Sequence, residues 1–218
     1  SKILDIEELT SANGKDSAVH EQIDNLQMKL KFICSAKSLT ESPTLPIGNF
    51  YIDDLYAKLK HYPHTLHDFT AQVHIDTQNI KVKDFSGFID QSDFHFSGGI
   101  HKYALWFADE KQGDTEVDVD LKANLLQFHD LFSYGGENYV PEEYRHEEIK
   151  NLHIHAKAAL HFKDSLYASD IQLTALEGKM KLHPLKFEQF SGAIHLENNY
   201  LNIAQLKGRM GHSDLMLS

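Results

Sequence analysis

The sequence has little of several features that identify common classes of protein. It contains one cysteine, Cys34, among 218 residues, which excludes an intramolecular disulfide framework. Its longest apolar run, Tyr103–Ala108, is far too short to span a membrane. Basic residues are outnumbered, with 21 Lys and Arg against 32 Asp and Glu and a formal charge of −11. We therefore expect no nucleic-acid partner and no electrostatic docking onto anionic lipid heads, because both need a basic surface.

Signatures of catalysis are also missing. The chain has no Gly-x-Ser-x-Gly elbow and no glycine loop that would cradle a phosphate. Its carboxylates occur as sequence neighbours, such as Asp53-Asp54 and Glu147-Glu148, which point to opposite faces of a strand and read as solvated surface. A carbohydrate-active β-protein would need clustered acids, which the sequence does not offer. We predict a protein that is not an enzyme, with no catalytic residue and no cofactor.

What the chain does have is an internal repeat. Residues Asn49–Ser97 align with Asp170–Ser218 at a constant offset of 121, without a gap and with ten identical positions. A fixed offset indicates one structural unit used twice, and such units commonly stack into an extended array. We interpret 1–218 as one continuous β-repeat fragment, with copy one at 1–97, connecting strands at 98–123 and a truncated copy two at 124–218.

The repeat extends upstream with a change of offset. Asn25–Met28 resembles Asn151–Ile154 at an offset of 126, so five extra residues predict a longer loop within Ser35–Pro46 or its counterpart. Copy two stops at Ser218, where copy one continues into Gly98–Ile100. We expect the sequence to be a piece of a longer protein.

The dominant hydrophobic period is two, as in Phe69–Ile75 and Leu152–Phe162. Strict alternation predicts strands with one apolar and one wet face, which is typical of antiparallel sheets. We predict a mainly β fold: an extended, curved, groove-like antiparallel sheet of hairpin repeats with two to four short helices. The helix candidates are Ile3–Leu9, Leu125–Ser133, Val19–Leu26 and Glu142–Lys150.

About ten such strands would each present three or four apolar side chains, each worth roughly 1.5–3 kcal/mol when buried. Such a face must be covered. The sheet could fold on itself, pack as a sandwich or leave a hydrophobic channel for an apolar ligand. The alternation does not decide among these three arrangements. The residues that would line a lipid groove, or an ordinary core, are Val73, Ile75, Ile80, Val82, Phe94, Phe96, Ile194, Leu196, Leu201, Ile203, Leu215 and Leu217.

Fifteen histidines raise the question of metal binding. His153 and His155 share one strand face, and His61, His64 and His67 are spaced by three around a helix-breaking proline. Solvated histidine is the expected state on a polar strand face. We assign no metal ligand, although a loop site at the second group stays open.

Several residues recur at equivalent positions of the two copies. His74 and His195 both face away from the apolar side, which predicts a shared cross-strand contact rather than catalysis. Ser92–Asp93 and Ser213–Asp214 are typical of turn chemistry. Trp106, between the copies, is predicted to be a core anchor that joins them, with a lipid contact as the alternative.

The sequence pattern of Phe190–Ser218 is F-x-G-x-I-x-L-x-N-x-x-L-x-I-x-x-L-x-G-x-x-G-x-S-D-L-x-L-S. This pattern resembles the sequences of the AsmA-like family, and so does the pattern of Leu121–Phe132. The best-matched motif is Gly208–Leu215. Copy one departs from it, since Asp90 stands where copy two has Gly211. The resemblance covers nearly the whole chain.

This resemblance implies an envelope protein of Gram-negative bacteria, anchored in the inner membrane by a segment missing from this fragment and extending through the periplasm. Larger relatives are long curved β-sheets with an apolar groove that are implicated in phospholipid transport during outer-membrane biogenesis. It implies a non-enzymatic segment that binds or conducts phospholipid or another lipid, with other envelope proteins as further candidate partners. The alternative is a structural or assembly module of the envelope with a closed apolar core and no lipid ligand.

Overall fold

The computed structural model describes residues 4–5, 22–41, 45–108, 110–183, 186–198 and 200–217. Over these residues the chain is mainly β, which confirms the predicted fold class. The strands are β1 Leu4–Asp5, β2 Gln22–Cys34, β3 Gly48–Leu59, β4 Thr65–Ile75, β5 Asn79–Ile89, β6 Ser92–His101, β7 Gln112–Gln127, β8 Ser133–Tyr134, β9 Glu137–Asn138, β10 Glu148–Lys163, β11 Ser165–Met180, β12 Lys186–Glu197, β13 Tyr200–Met210 and β14 Ser213–Leu217. The helices are α1 Ala36–Glu41 and α2 Phe128–Leu131, with 3₁₀ turns at Tyr103–Phe107 and Glu142–Tyr144. No helix of this described part has the length and apolarity needed to cross a membrane.

Twelve strands form one antiparallel sheet in which almost every strand pairs with its neighbours in sequence. The order is β1-β2-β3-β4-β5-β6-β7-β10-β11-β12-β13-β14, and β8 and β9 pair separately within the connection from β7 to β10. This is the order that short turns between alternating strands produce, because an antiparallel pair needs only a tight connection. The described residues thus form one wide sheet with β1 and β14 at its edges.

The register sorts side chains onto two faces, because residues paired across antiparallel strands point the same way. We call the face that carries Val73 and Ile75 the apolar face, and the opposite face, which carries His74, the polar face. One row of paired residues crosses eight strands on the apolar face. This apolar row consists of Ile75, Ile80, Ile100, Val117, Ala158, Ile171, Ile194 and Ile203.

Aromatic rings on the apolar face pack over a glycine. The rings of Phe69, Phe85 and Phe94 lie 5.2–5.7 Å apart between centroids. A Cβ atom on Gly87 would lie 2.6 Å from the Phe69 ring. Because Gly87 has no side chain, the Phe69 ring can lie directly over its backbone, as in other sheets where an aromatic ring covers a strand glycine.

The two arms of the repeat share these local features at the offset of 121. β13 has the same bounds as β5, and the Phe190 ring lies 2.5 Å from a Cβ built on Gly208, as Phe69 does at Gly87. Upstream, β2 begins at Gln22 and β10 begins 126 residues later. The extra length of copy one falls in the connection between β2 and β3, which contains α1.

Left-handed backbone residues recur at the same offset. Asp68 and Gln189 have φ angles of 54° and 56°, and each lies at a register shift of its strand pair. Asp90 and Gly211 have φ angles of 49° and 61° at the turns that follow β5 and β13. Aspartate tolerates this conformation better than most residues. Copy one therefore forms the same turn with Asp90 as copy two forms with Gly211.

The predicted helices are largely wrong. The described residues of Ile3–Leu9 and Val19–Leu26 are strand, and the rest of both segments lies outside the described residues. Leu125–Ser133 is helical only over α2, and Glu142–Lys150 is one 3₁₀ turn that leads into β10. Short helical patterns have little intrinsic stability, and pairing with neighbouring strands prevails.

The connection from β7 to β10 is fastened by a buried carboxylate. The side chain of Glu147 is fully buried, although we predicted solvated surface for it. Its Oε1 accepts hydrogen bonds from the backbone amides of Glu148, Lys181 and Leu182 at 2.7–3.0 Å. Burial by itself would raise the pKa of Glu147, but these amides stabilise the carboxylate and hold the pKa below its ordinary value of 4.5.

The contact between Phe69 and Gly87 can be tested by Gly87→Ala. The added methyl group displaces the ring, so we expect a loss of about 1–3 kcal/mol in the free energy of unfolding, measured by urea denaturation. In a Phe69→Leu background the same substitution should be neutral or stabilising, since alanine suits a strand better than glycine. An equal loss in both backgrounds would rule out the ring contact as the cause.

The buried carboxylate predicts a pH dependence of stability. A lowered pKa means that the contribution of Glu147 is present above its ordinary pKa and is lost as the pH falls through the folded-state value. Glu147→Gln should cost about 1–3 kcal/mol at pH 7. The difference from the unmodified chain, measured by urea denaturation, should shrink as the pH falls below 4.5 and through the lowered pKa of Glu147. A difference that does not depend on pH would contradict this assignment.

Candidate functional site

The twelve residues predicted to line a groove all lie on the apolar face. Only Ile75 is fully buried, with 8% of its surface exposed. Half-buried are Val73, Ile80, Val82, Phe94, Phe96 and Ile194. Exposed are Leu196, Leu201, Ile203, Leu215 and Leu217, from 38% for Leu196 to 63% for Leu201. The face is therefore best packed in β4–β6 and most open in β12–β14.

Within the described residues, no second layer covers the apolar face. The elements in substantial contact are adjacent strands, or a short helix and the strand next to it. Leu30 and Phe32 of β2 pair with apolar-face residues of β3 and remain 50% and 51% exposed. Neither a sandwich nor a sheet folded onto itself is present in this part of the chain.

A concavity of about 1070 Å³ lies across β5, β6, β7, β10 and β11, and most of the residues that line it belong to the polar face. Asp118 and Asp120 line it. Lys81 and Lys157 add positive charge to the same lining. The lining also includes Ile80 and Val82 of the predicted groove residues, together with Ile100, Val117 and Ala158. The groove-like curvature of the apolar face stays a prediction.

Histidines and carboxylates alternate across the polar face. His153 and His155 share this face, as predicted, and their Nε2 and Nδ1 atoms lie 3.1 Å and 3.0 Å from the same oxygen of Asp120. His161 lies apart from this pair. Its ring nitrogens lie 2.8 Å from Asp114 and 3.0 Å from Asp170.

His74 and His195 make the same cross-strand contact, which confirms the prediction for them. The Nδ1 of His74 lies 3.0 Å from Asn49 Oδ1, and the Nδ1 of His195 lies 2.6 Å from Asp170 Oδ1. Asn49 and Asp170 are themselves equivalent at the offset of 121. The hydrogen bond to Asp170 raises the pKa of His195, and Asp114 followed by Asp170 raises that of His161.

Of the three loop histidines, only His64 enters a cluster of possible metal ligands, together with Asp90 and Asp130. His67 lies beside it, with its Nε2 2.9 Å from the carbonyl oxygen of Asp90. His61 is not a member of the cluster. Two of the three grouped residues come from other parts of the chain, and the loop site stays a prediction.

Ser92–Asp93 fastens the end of β7, so our prediction of local turn chemistry is wrong for this pair. The hydroxyl of Ser92 accepts a hydrogen bond from the amide of Gln127 at 2.9 Å. The carboxylate of Asp93 accepts the amides of Asn124 and Leu125 at 2.9 Å and 2.7 Å. These partners lie more than 30 residues away, and no local pattern could have revealed them.

Trp106 is not the core anchor that we predicted. Its side chain is 40% exposed, and its Nε1 donates to Thr115 Oγ1 at 3.2 Å. The buried residue of this stretch is Tyr103, at 2% exposure. Tyr103–Phe107 forms a 3₁₀ turn and does not follow the period of a strand. Tyr103 rather than Trp106 is therefore the buried side chain.

The chain matches no protein-family model, no curated protein and no solved structure. The resemblance to the AsmA-like family therefore rests on the repeated cadence of the sequence.

The shared carboxylate of the polar face gives a testable titration. We expect the pKa of His161 and His195 to lie above 6.5, so their ion pairs are complete below that pH and are lost as the pH rises through the raised pKa. Asp170→Asn should lower both pKa values in an NMR titration of the imidazole rings. Asp120→Asn, which removes the carboxylate of the other two histidines, should leave both unchanged, and a shift there would contradict the separate networks.

Proposed function

We propose that this chain binds the acyl chains of phospholipid along its apolar face and serves as a lipid-conducting segment. The observation that carries the proposal is a wide single-layer sheet whose apolar face has no second layer within the described residues. Exposed apolar area of this extent marks an interaction surface. Each methylene transferred from water to such a face is worth about 0.8 kcal/mol.

The chemistry of the face favours an occupant that needs no hydrogen bonds. The apolar row presents only isoleucine, valine and alanine side chains over eight strands. A covering loop or strand would bring backbone polar groups that these side chains cannot satisfy. Hydrocarbon has no such groups.

The continuity of the face supports conduction rather than a single pocket. Adjacent strands lie about 4.8 Å apart, so the apolar row extends about 34 Å across the sheet. No charged side chain interrupts the row. A lipid tail can therefore shift from strand to strand without crossing a polar barrier, while its head group stays in water.

The setting of the proposal comes from the resemblance to the AsmA-like family. In that setting the chain is a non-enzymatic periplasmic segment of an inner-membrane-anchored protein that acts in outer-membrane biogenesis. The repeated arms fit such a protein, since repeats extend a surface of one character. A structural module whose apolar face is covered by another envelope protein is the alternative that the experiment must separate.

Two adjacent residues of β13 test the proposal. Leu201→Glu places a charge on the exposed part of the apolar face, and Asn202→Glu places the same charge on the polar face of the same strand. We expect the Leu201 variant to lose tenfold or more in binding of fluorescently labelled phosphatidylethanolamine, because a tail would have to desolvate the new carboxylate. The Asn202 variant should bind like the unmodified chain. Comigration of lipid and protein on a native gel gives the readout.

The unmodified chain should also carry phospholipid when it is purified without detergent, as detected by mass spectrometry of an organic extract. Absence of lipid in the extract, together with no binding of the labelled lipid, would reject the proposal in favour of the structural module. An equal loss of lipid binding in the Leu201 and Asn202 variants would mean that the lipid does not bind on the apolar face. Because both positions are exposed, both variants should keep the stability of the parent chain.

A further inference from the structure

Three side chains from distant parts of the chain meet at one end of the sheet. His64 lies in the connection between β3 and β4, Asp90 in the turn between β5 and β6, and Asp130 in α2. One potential ligand atom from each lies within 4.8 Å of the others. The cluster therefore links three separate connections, and it lies apart from the apolar row.

Both carboxylates are held in place by further contacts. Asp90 accepts the amide of Thr65 at 2.9 Å through Oδ1, and its Oδ2 lies 2.7 Å from the Nδ1 of His64. Asp130 lies 2.8 Å from the Nε2 of His129 and accepts the hydroxyl of Ser92 at 3.3 Å. Such outer contacts are what orients the ligands of metal sites.

The cluster is buried at two of its three members and has an unsatisfied nitrogen, while the side chain of Asp90 is 36% exposed. The side chain of Asp130 is 4% exposed and that of His64 is 12% exposed. Among the described residues, the Nε2 of His64 is buried without a hydrogen-bond partner. A buried polar atom left unpaired is unfavourable, and a ligand would satisfy it.

A further contact holds the Asp130 end of the cluster. The hydroxyl of Tyr62 donates to the backbone carbonyl of Asp130 at 2.6 Å.

We propose that His64, Asp90 and Asp130 bind a divalent zinc ion. One imidazole and two carboxylates are three protein ligands of the kind zinc takes, and two carboxylates balance its charge. Calcium and magnesium prefer oxygen-only sites, so the imidazole favours zinc over them. Ligands at about 2.0–2.2 Å from one ion lie at most about 4.4 Å apart. The potential ligand atoms of the cluster lie within 4.8 Å of one another, which is close to this limit. Ser92 and His129 are positioning residues.

The proposed role of the ion is to fasten this end of the sheet. It would join the connections that precede β4 and β6 to the helix that follows β7. A metal that binds only the folded chain stabilises it by mass action. At a zinc concentration about 100 times the Kd we expect the melting temperature to rise by about 5–10 °C.

Calorimetric titration of the metal-stripped chain with zinc chloride tests the site. We expect one ion per chain and a melting temperature that rises with zinc. His64→Ala and Asp130→Asn should each lower the affinity tenfold or more. The matched control is His153→Gln with His155→Gln, which removes the exposed histidine pair on Asp120 and should leave the affinity unchanged.

Far-UV circular dichroism checks that each variant retains its strands, and Asp90→Asn replaces any variant that does not. Three results would overturn the proposal: no binding heat from the unmodified chain, unchanged affinity in the cluster variants, or loss of binding in the control pair alone. The last result would place zinc on the polar face. A melting temperature insensitive to zinc despite binding would reject the fastening role.

Discussion

Cross-strand register is the constraint on which this structure depends, because a one-residue slip in any strand would move its apolar side chains to the other face. Register shifts at Asp68 and Gln189 occur at equivalent places of the two arms, and in both the alternation resumes in phase after the left-handed residue. Rings over Gly87 and Gly208 reinforce the same places. The uninterrupted apolar row is the outcome of keeping this phase across eight strands.

The two faces and the end of the sheet have separate chemistries. The apolar row offers hydrocarbon surface without polar side chains, which suits the lipid function proposed for this face. The polar face pairs histidines with carboxylates, as at Asp170, which two imidazoles contact. Buried groups at the connections, such as Glu147 and Asp130, hold the strands in place from the end. A sheet without a second layer needs such fastening, because its faces provide less cohesion than a closed core.

Period-two patterning predicted the strands and their two faces because it depends only on the alternation of side chains along an extended backbone. The repeat predicted the equivalent contacts of His74 and His195, because equivalent positions of the two copies face equivalent residues on the neighbouring strand. Helices were predicted poorly, since strand pairing with distant residues outweighs short helical patterns. Glu147 and Trp106 were misplaced for a related reason, because burial at a connection or in a 3₁₀ turn follows from neighbours that periodicity does not specify.

The sequence by itself determined a mainly β chain with two like arms and a water-avoiding side, because these properties are local and repeat at fixed intervals. Only the tertiary structure decided that the described strands form one layer, that a concavity of about 1070 Å³ extends across β5, β6, β7, β10 and β11, and that His64 meets Asp90 and Asp130. Those residues are separated by 26 and 66 positions, and the strands between them must pair before the three side chains can meet. Long-range pairing, which no local pattern encodes, is the physical reason for the difference.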